Sequence, residues 1–210
     1  MKIVVFGASG KTGTLLIDQA LNLGYFVKAY VRNADSIKIQ NPNLEVIVGQ
    51  LSDKEKLKEA INGVDACIST LGGGSLTKHN PEVIKGIDLI VQVMEELGVS
   101  RLLYMSSLGV GESRFTMPQP IRFIVVDLIL RVPIADHHAN EQRIMRSKLA
   151  WTIVRPSGLK DGEKTGNLKY GSEIVKIKGN PSITRANVAS FILEQLVNEE
   201  FINKGVWLYE

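Results

Sequence analysis

Short apolar runs alternate with amphipathic stretches along most of the chain. The runs are nearly continuous in apolar character, which is typical of strands that helices cover on both faces of a sheet. They lie at Ile3–Phe6, Phe26–Val31, Leu44–Val48, Ala66–Ser69, Arg101–Met105 and Trp151–Val154. The alternation predicts six parallel strands in βαβ units, and Val206–Tyr209 can add a final strand.

Residues that cap helices bound the segments between these runs. Ser52 and Glu55 have capping-box spacing, so the serine oxygen and the glutamate side chain can each satisfy a backbone N–H at a helix start. Asn80 supplies a cap for a helix that runs to about Leu97. The other predicted helices cover 12 to 23 and a last segment from Thr184 or Asn187 to about Val197.

One longer apolar segment, residues 121 to 134, raises the question of a membrane span. Arg122, Asp127, Arg131 and Pro133 interrupt it well short of the roughly 20 apolar residues that a span needs. Asp127 and Arg131 are four residues apart, a spacing at which side chains pair on a helix surface. We therefore predict a helix with one charged stripe and a wide apolar face that must be covered by something.

Composition excludes several classes of protein. The 210 residues are 44% hydrophobic and contain no repeat or linker, so we expect a single domain over residues 1–210. The 25 basic and 22 acidic side chains form no long run of like charge, so we expect no nucleic-acid partner. The apolar segment 121–134 is too short to span a bilayer, so we expect no membrane partner either. The single cysteine, Cys67, lies in an apolar run and is predicted to be buried. The amino terminus does not resemble a signal peptide, and we expect a cytoplasmic location.

The strongest motif is a glycine-rich turn at residues 7–13, directly after the first strand. Gly7 permits a tight turn, Gly10 leaves room for a pyrophosphate, and Gly13 lets the next helix pack closely on the sheet. Because the turn follows a strand and opens an amphipathic helix, it predicts dinucleotide binding in a doubly wound Rossmann-type α/β domain. The contact residues expected here are Gly7, Ser9, Gly10, Lys11, Thr12 and Gly13.

The end of the second strand indicates which nicotinamide cofactor is bound. Enzymes that use NAD place an acidic side chain about 20 residues beyond the glycines, to hold the ribose hydroxyls. This chain has Arg32 there, which would attract the 2′-phosphate of NADP, and Lys11 is expected to add a second positive charge. We predict NADP rather than NAD, although Asp35 leaves NAD as an alternative.

Several motifs resemble the atypical short-chain dehydrogenase/reductases with an NmrA-like or flavin reductase (biliverdin reductase B)-like domain. The resemblance covers essentially the whole chain. It rests on Gly7–Gly13, Val31-Arg32, Val48-Gly49-Gln50-Leu51, Tyr104-Met105-Ser106-Ser107, Trp151–Leu159 and Thr184–Ala189. The resemblance implies a cytoplasmic NAD(P)H-binding reductase with one mostly parallel sheet of about six or seven strands flanked by helices.

The resemblance also implies further site residues. It places Gln50 and Leu51 beside the adenine, although Gln50 stands where the family usually has aspartate. It places residues 71–74 along the ribose and nicotinamide, and residues 156–159 over the nicotinamide. The additional cofactor-binding residues are Leu71, Gly72, Gly73, Gly74, Met105, Ser106, Pro156, Ser157, Gly158 and Leu159. Loops after the later strands would form the second substrate's pocket.

Two residues are candidates for catalysis. Ser107 ends the fifth strand, where standard short-chain dehydrogenases keep a serine that hydrogen-bonds the reacting carbonyl. None of the five tyrosines is followed by lysine four residues on, so the usual acid for ketone reduction is missing. His137, or its neighbour His138, could instead donate a proton to the acceptor. Neither histidine pairs with a cysteine or an acidic cluster at metal-ligand spacing, and Asp136 alone does not make a site, so we predict no metal.

These features favour an NAD(P)H-dependent oxidoreductase that passes hydride to a flavin, a quinone or a similar conjugated acceptor. Such rings delocalise the arriving charge, so stacking and exclusion of water can suffice. The alternative is a non-catalytic, NmrA-like sensor of the dinucleotide. A sugar-nucleotide epimerase is weaker, because that chemistry uses the missing tyrosine. We expect a monomer or homodimer with a small-molecule acceptor.

Overall fold

The structure, a computed structural model, describes residues 1–72 and 75–210. Its strands are β1 (Lys2–Phe6), β2 (Phe26–Val31), β3 (Leu44–Val48), β4 (Ala66–Ser69), β5 (Arg101–Met105), β6 (Ala150–Pro156), β7 (Gly158–Lys160), β8 (Lys169–Gly171), β9 (Ser182–Thr184) and β10 (Lys204–Tyr209). Eight of them form the main sheet in the order β3-β2-β1-β4-β5-β6-β10-β8. Only β8 is antiparallel to its neighbour there, and β7 pairs with β9 in a small parallel sheet.

The predicted Rossmann-type fold is therefore confirmed, with one more strand in the main sheet than expected. The strand of the main sheet that was not predicted is β8, three residues paired to β10. The two strands of the small sheet, β7 and β9, were not predicted either. Strand β8 lies within the glycine- and lysine-rich stretch that shows no apolar run in the sequence. Pairing with an already formed neighbour, rather than local pattern, determines such a short strand.

Helices cover both faces of the sheet. They are α1 (Lys11–Asn22), α2 (Lys54–Ile61), α3 (Pro81–Leu97), α4 (Gln119–Ile121), α5 (Arg131–Met145) and α6 (Arg185–Glu194). Successive strand residues point to opposite faces, so Val4 and Val5 enter different cores although both are fully buried. Val5 packs with α1 and α6, whereas Val4 packs with α2, α3 and α5. Cys67 is fully buried in the second of these cores, as predicted.

Most predicted helix boundaries agree with the structure. Asn80 caps α3 by accepting a hydrogen bond from the N–H of Val83 at 3.2 Å, and Gly98 closes that helix with a left-handed φ of 70°. The prediction that Ser52 caps α2 is wrong. Asp53 is the cap, accepting from the N–H of Lys56 at 3.1 Å, because the helix begins one residue later than the capping-box spacing required.

The last helix, α6, is also shorter than predicted. Thr184 is its cap and accepts from the N–H of Asn187 at 3.3 Å, which decides between the two candidate caps. The helix ends at Glu194 rather than near Val197. The side chain of Val197 is 70% exposed, so extending the helix to this residue would gain little stabilisation from burial of apolar surface.

The apolar segment 121–134 is not the single regular helix that was predicted. A π-helical stretch at Arg122–Ile129 follows α4, and α5 begins at Arg131. Asp127 pairs with Arg114 at 2.9 Å rather than with Arg131, because π-helical winding breaks the four-residue spacing on which that pair depended. No helix in residues 1–72 or 75–210 is long and apolar enough to cross a membrane.

The sheet topology determines where a ligand can bind. The chain adds β2 and β3 on one side of β1 and then crosses to place β4 on the other side. At this reversal the loops after β1 and β4 leave in opposite directions and open a crevice at the carboxyl ends of the strands. The glycine turn lies directly at this crevice, between Phe6 and α1.

Candidate cofactor and acceptor site

The glycine turn has the geometry that a phosphate group requires. Gly7 has a φ of 79°, and a Cβ there would lie 2.9 Å from the backbone nitrogen of Leu71. A Cβ on Gly13 would overlap the carbonyl oxygen of Gly7. Gly10 caps α1 without any side-chain hydrogen bond, so the first N–H groups of this helix are left for an anion. The turn therefore fits a dinucleotide pyrophosphate.

A pocket of about 220 Å³ adjoins the turn, and we call it the glycine-turn pocket. It is lined by Gly7, Ser9, Tyr30, Val31, Arg32, Gly49, Leu51, Leu71, Gly72, Asn80, Glu82 and Val83. The exposed side chain of Arg32 forms no hydrogen bond or ion pair with any other described residue. An unpaired guanidinium at this position is suited to a phosphate.

Two predicted residues of this region have other contacts. Gln50 does not line the pocket, and its backbone oxygen accepts a hydrogen bond from the hydroxyl of Tyr30 at 2.8 Å. Lys11 forms an ion pair with Asp161 at 2.8 Å, and Arg185 binds the same carboxylate at 2.6 Å. The structure therefore gives Arg32 no second cation from Lys11 within the glycine-turn pocket.

A second pocket of about 360 Å³ lies at the carboxyl ends of β5 and β6, and we call it the serine cleft. Its lining residues are Gly72, Leu76, Met105, Ser106, Ser107, Leu108, Met117, Val125, Leu130, Pro133, Ile134, His137, Pro156, Ser157, Gly158, Leu159, Asn180 and Pro181. Gly72 lines both pockets, so they meet there. The predicted Gly73 and Gly74 lie outside the described residues.

The serine cleft brings together nearly all the residues predicted to surround the nicotinamide. Within the described part of the chain, no charged side chain lines it. Ser106 and Ser157 are 4% and 5% exposed, and neither side-chain oxygen has a hydrogen-bond partner among the described residues. Ser107 instead donates to the carbonyl oxygen of Leu108 at 3.3 Å. Since buried polar groups are normally paired, the hydroxyls of Ser106 and Ser157 are available to a ligand.

His137 is held in the wall of the cleft by a buried network. Its Nδ1 lies 2.8 Å from the hydroxyl of Tyr104, and the side-chain amide nitrogen of Asn140 donates to the same hydroxyl at 2.9 Å. This arrangement assigns the phenolic proton to the bond with Nδ1 and the imidazole proton to Nε2. A Cβ built on Gly72 would lie 3.7 Å from Nε2, so this nitrogen faces the junction of the two pockets.

Burial also determines the protonation state of this imidazole. It lowers the pKa of His137 to about 4, although the neighbouring carboxylate of Asp136 raises it. The ring is therefore neutral near physiological pH. His137 can donate a hydrogen bond from Nε2, but it carries no additional proton to give away.

Two buried carboxylates position the walls of the cleft. Asp136 accepts from the N–H of Asn80 at 2.8 Å and contacts Nδ1 of His79 at 2.5 Å, which joins α5 to the start of α3. Glu141 binds the buried guanidinium of Arg155 through two hydrogen bonds of 3.0 and 2.8 Å. Arg155 directly precedes Pro156, so this ion pair fixes the end of β6 against α5.

Comparison with known proteins identifies the family. Residues 7–199 match the model of the NAD(P)H-binding family. The chain belongs to this family. The UPF0659 protein YMR090W of Saccharomyces cerevisiae is 30% identical over 211 residues, which cover 94% of this chain and 88% of the yeast protein. An uncharacterised chloroplastic protein of Arabidopsis thaliana is 28% identical, over 95% of this chain and 73% of its own length.

Solved structures share the fold of this NAD(P)H-binding protein. ChuY, an anaerobillin reductase from Escherichia coli O157:H7, superposes with a TM-score of 0.81 at 24% identity, over 100% of this chain and 97% of its own. A short-chain dehydrogenase/reductase from Veillonella parvula, solved in complex with NADP, gives 0.82 at 17% identity, over 100% and 94%. The NAD(P)H-binding family that the resemblance implied is confirmed by the family model, and these structures confirm the fold that it implied.

Several residues that shape the site of this NAD(P)H-binding protein could not be identified from its sequence. Asn140 and Asp136 act through partners 36 and 56 residues away in the chain, so no local spacing reveals them. The apolar wall formed by Val125, Leu130 and Ile134 was expected to be helical, but not to line the cleft. The amphipathic character of that segment was the one feature of the sequence that could have indicated its place in the cleft wall.

Proposed function

We propose that the protein is an NADPH-dependent oxidoreductase that reduces a conjugated acceptor with an uncharged reacting ring, such as a quinone or flavin. The observation that carries the proposal is the junction at Gly72, where the glycine-turn pocket meets a cleft that no charged side chain of the described residues lines. When bound, NADPH supplies a hydride to the acceptor, which also takes one proton from water to give NADP⁺ and the reduced acceptor. The protein's part is to hold two rings together and exclude water.

The preference for NADPH rests on Arg32. Its guanidinium lies beside the glycine-turn pocket without an ion-pair partner among the described residues. A 2′-phosphate would supply that partner, whereas the 2′-hydroxyl of NADH would leave the guanidinium with a weaker, neutral acceptor.

The chemistry of the serine cleft restricts the acceptor. A sugar diphosphate or a 2-oxo acid needs cationic side chains, and none lines the described cleft. The chain also lacks the Tyr-x-x-x-Lys acid that protonates an alkoxide. A quinone or isoalloxazine ring needs neither, because its conjugated system spreads the negative charge over several atoms.

His137, Ser106 and Ser157 have distinct roles in this proposal. Neutral His137 stabilises developing negative charge by donating a hydrogen bond from Nε2, instead of transferring a proton as the sequence analysis expected. The two unpartnered serine hydroxyls bond the polar edge of the nicotinamide or the acceptor. Ser107 lines the same cleft and orients the acceptor.

The test measures loss of reduced-nicotinamide absorbance with FMN, FAD and menadione as separate acceptors. Pyruvate and oxaloacetate serve as controls, because each has a reducible carbonyl next to a carboxylate. We expect oxidation of NADPH by at least one conjugated acceptor and by neither 2-oxo acid. His137→Gln should slow it, whereas the matched variant His138→Gln, at an exposed neighbour outside the cleft, should not. Tight NADPH binding without oxidation by any acceptor would instead favour the dinucleotide sensor.

A further inference from the structure

Four large apolar side chains of the π-helical stretch point away from the rest of the protein. Phe123, Ile124, Leu128 and Ile129 are 59%, 52%, 60% and 51% exposed. The backbone N–H of Leu130 donates to the carbonyl of Val125 five residues earlier, at 2.8 Å. With this hydrogen-bond pattern, residues five apart lie near one another on successive turns, so the two pairs form one surface. We call it the 123–129 patch.

The opposite side of the same segment is part of the serine cleft. Val125 and Leu130 line the cleft, and Val126 is buried. The segment is thus apolar on both sides, and the described chain covers only the inner one. Contiguous exposed apolar side chains of this size mark a surface that another molecule covers.

The charges around the 123–129 patch are mostly positive. Arg114, Arg122 and Arg131 lie on or beside the segment, and the guanidinium of Arg122 is 5.7 Å from the centre of the Phe115 ring. Asp127 is the acidic residue within the segment, and it pairs with Arg114. Arg131 is exposed and forms no ion pair with any described residue. The surface therefore combines apolar side chains with a net positive charge.

We propose that the 123–129 patch docks this protein on an anionic lipid bilayer. Apolar side chains beside arginines are the composition of segments that lie in the interfacial plane of a membrane, with the apolar groups inserted and the cations near lipid phosphates. A second copy of this chain is less suitable. Two-fold symmetry would bring the arginines of one patch against those of the other, with Asp127 already paired.

The proposal departs from the expectation that no membrane is involved. That expectation came from the length of the apolar segment, which is too short to span a bilayer. A segment that lies on the surface needs no such length. It needs an exposed apolar face, which only the structure reveals.

Co-sedimentation with vesicles tests the proposal on the full chain. Vesicles of phosphatidylcholine alone are compared with vesicles that also contain phosphatidylglycerol. We expect the protein to sediment with the anionic vesicles, less so as salt is raised, and to remain in the supernatant with the neutral ones. Phe123→Ser with Leu128→Ser should reduce binding about tenfold or more, since both changes remove inserted apolar surface.

The matched control is Leu23→Ser with Val197→Ser. These two side chains are 60% and 70% exposed and lie outside the patch, so their loss should leave vesicle binding unchanged. Thermal unfolding and NADPH affinity show whether each variant is folded. A second probe, Phe123→Trp, keeps the patch apolar, and its fluorescence should shift to shorter wavelength with anionic vesicles.

Several outcomes would overturn the proposal. They are failure to sediment with anionic vesicles, equal binding by the patch variant, and an unshifted Phe123→Trp spectrum. Light scattering tests whether a second copy of the chain, rather than a bilayer, covers the 123–129 patch. If the protein is a dimer that Phe123→Ser with Leu128→Ser converts to a monomer, a second copy covers the patch and the lipid proposal is wrong. Reduction of soluble acceptors is measured separately, so failure of docking leaves the proposed reductase function standing.

Discussion

The hydroxyl of Tyr104 lies 2.8 Å from Nδ1 of His137, and both side chains are buried. A phenol has one proton to donate and can also accept. The bond from Asn140 to the same oxygen therefore leaves the phenolic proton for His137. Burial raises the pKa of Tyr104, so this proton stays on the phenol near neutral pH. Tyr104 is consequently a positioning residue, which keeps the N–H of His137 on the nitrogen that faces the cleft.

Replacement of Tyr104 by phenylalanine tests this role. Tyr104→Phe removes the donor to Nδ1, so the imidazole is no longer fixed with its proton on Nε2. We expect kcat to fall about twofold to tenfold, the effect of one neutral hydrogen bond, with NADPH affinity unchanged. Nitrogen-15 NMR of the imidazole should show the Nε2-protonated form in the wild type and a mixture in the variant. A wild-type ring protonated on Nδ1 would contradict the assignment.

The low pKa of His137 makes stability depend on pH. The imidazole takes a proton at about pH 4 in the folded state and near its ordinary value of 6.5 in the unfolded chain. Between these values the unfolded chain binds more protons, so stability falls as pH is lowered through this window, by roughly 3 kcal/mol in total. His137→Gln should remove this component, and His138→Gln should not. Urea unfolding at several pH values measures it, and identical pH profiles for wild type and His137→Gln would exclude it.

The parts of the fold that follow local pattern could be predicted from sequence. The glycine turn is one, because the left-handed φ of Gly7 is a property of that residue and Gly13 packs on the backbone of Gly7 and Ala8 in the same turn. The central strands are another, because burial on both faces makes them apolar throughout. The cap of α3 at Asn80 follows from residues within one helical turn.

Features that depend on partners distant in the chain could not be predicted. Asp127 has Arg131 at helical spacing, yet the structure pairs it with Arg114 across 13 residues of irregular chain. The pairing of His137 with Tyr104 joins a helix to a strand. Ser106 and Ser107 are adjacent in sequence. Only their three-dimensional contacts show that the hydroxyl of Ser107 bonds Leu108, whereas that of Ser106 has no partner in the part of the chain that the structure describes.

Arg32 provides the test of cofactor choice. Arg32→Glu replaces attraction for a 2′-phosphate with repulsion and offers the ribose hydroxyls an acceptor. We expect the ratio of NADPH to NADH affinity to fall about tenfold to a hundredfold, the range for a charge-assisted hydrogen bond. Lys38→Glu makes the same charge change at an exposed position that does not line the pocket, and it should leave the ratio nearly constant. Equal effects of the two variants would indicate only long-range electrostatics.

Substitutions at two glycines of the turn should distinguish a loss of dinucleotide binding from a loss of stability. Gly10 has a φ of −75°, and a Cβ built on it would lie 3.2 Å from the carbonyl oxygen of Gly7. We expect Gly10→Val to fold and to lose dinucleotide affinity, because the side chain occupies the approach of the pyrophosphate. Gly13→Ala should lower the melting temperature in addition to the affinity, because its Cβ overlaps the carbonyl oxygen of Gly7. Calorimetric titration and thermal unfolding measure both, and full affinity in Gly10→Val would remove the basis for placing the cofactor here.

The two neighbouring serines of the cleft should respond differently to alanine. Ser106 has a buried hydroxyl with no partner among residues 1–72 and 75–210, so Ser106→Ala removes no hydrogen bond seen there and should leave stability unchanged or slightly higher. If that hydroxyl bonds the cofactor, the dissociation constant for NADPH should rise about twofold to tenfold. Ser107→Ala loses only a long contact of 3.3 Å with the carbonyl oxygen of Leu108, which should cost at most about 0.5 kcal/mol of stability. With Ser107 orienting the acceptor, kcat should fall about twofold to tenfold while NADPH affinity stays constant. Titration, steady-state kinetics and urea unfolding of both variants distinguish these effects. A total loss of turnover in Ser107→Ala would mean that this serine transfers protons, and a mechanism based on ring stacking would then be wrong.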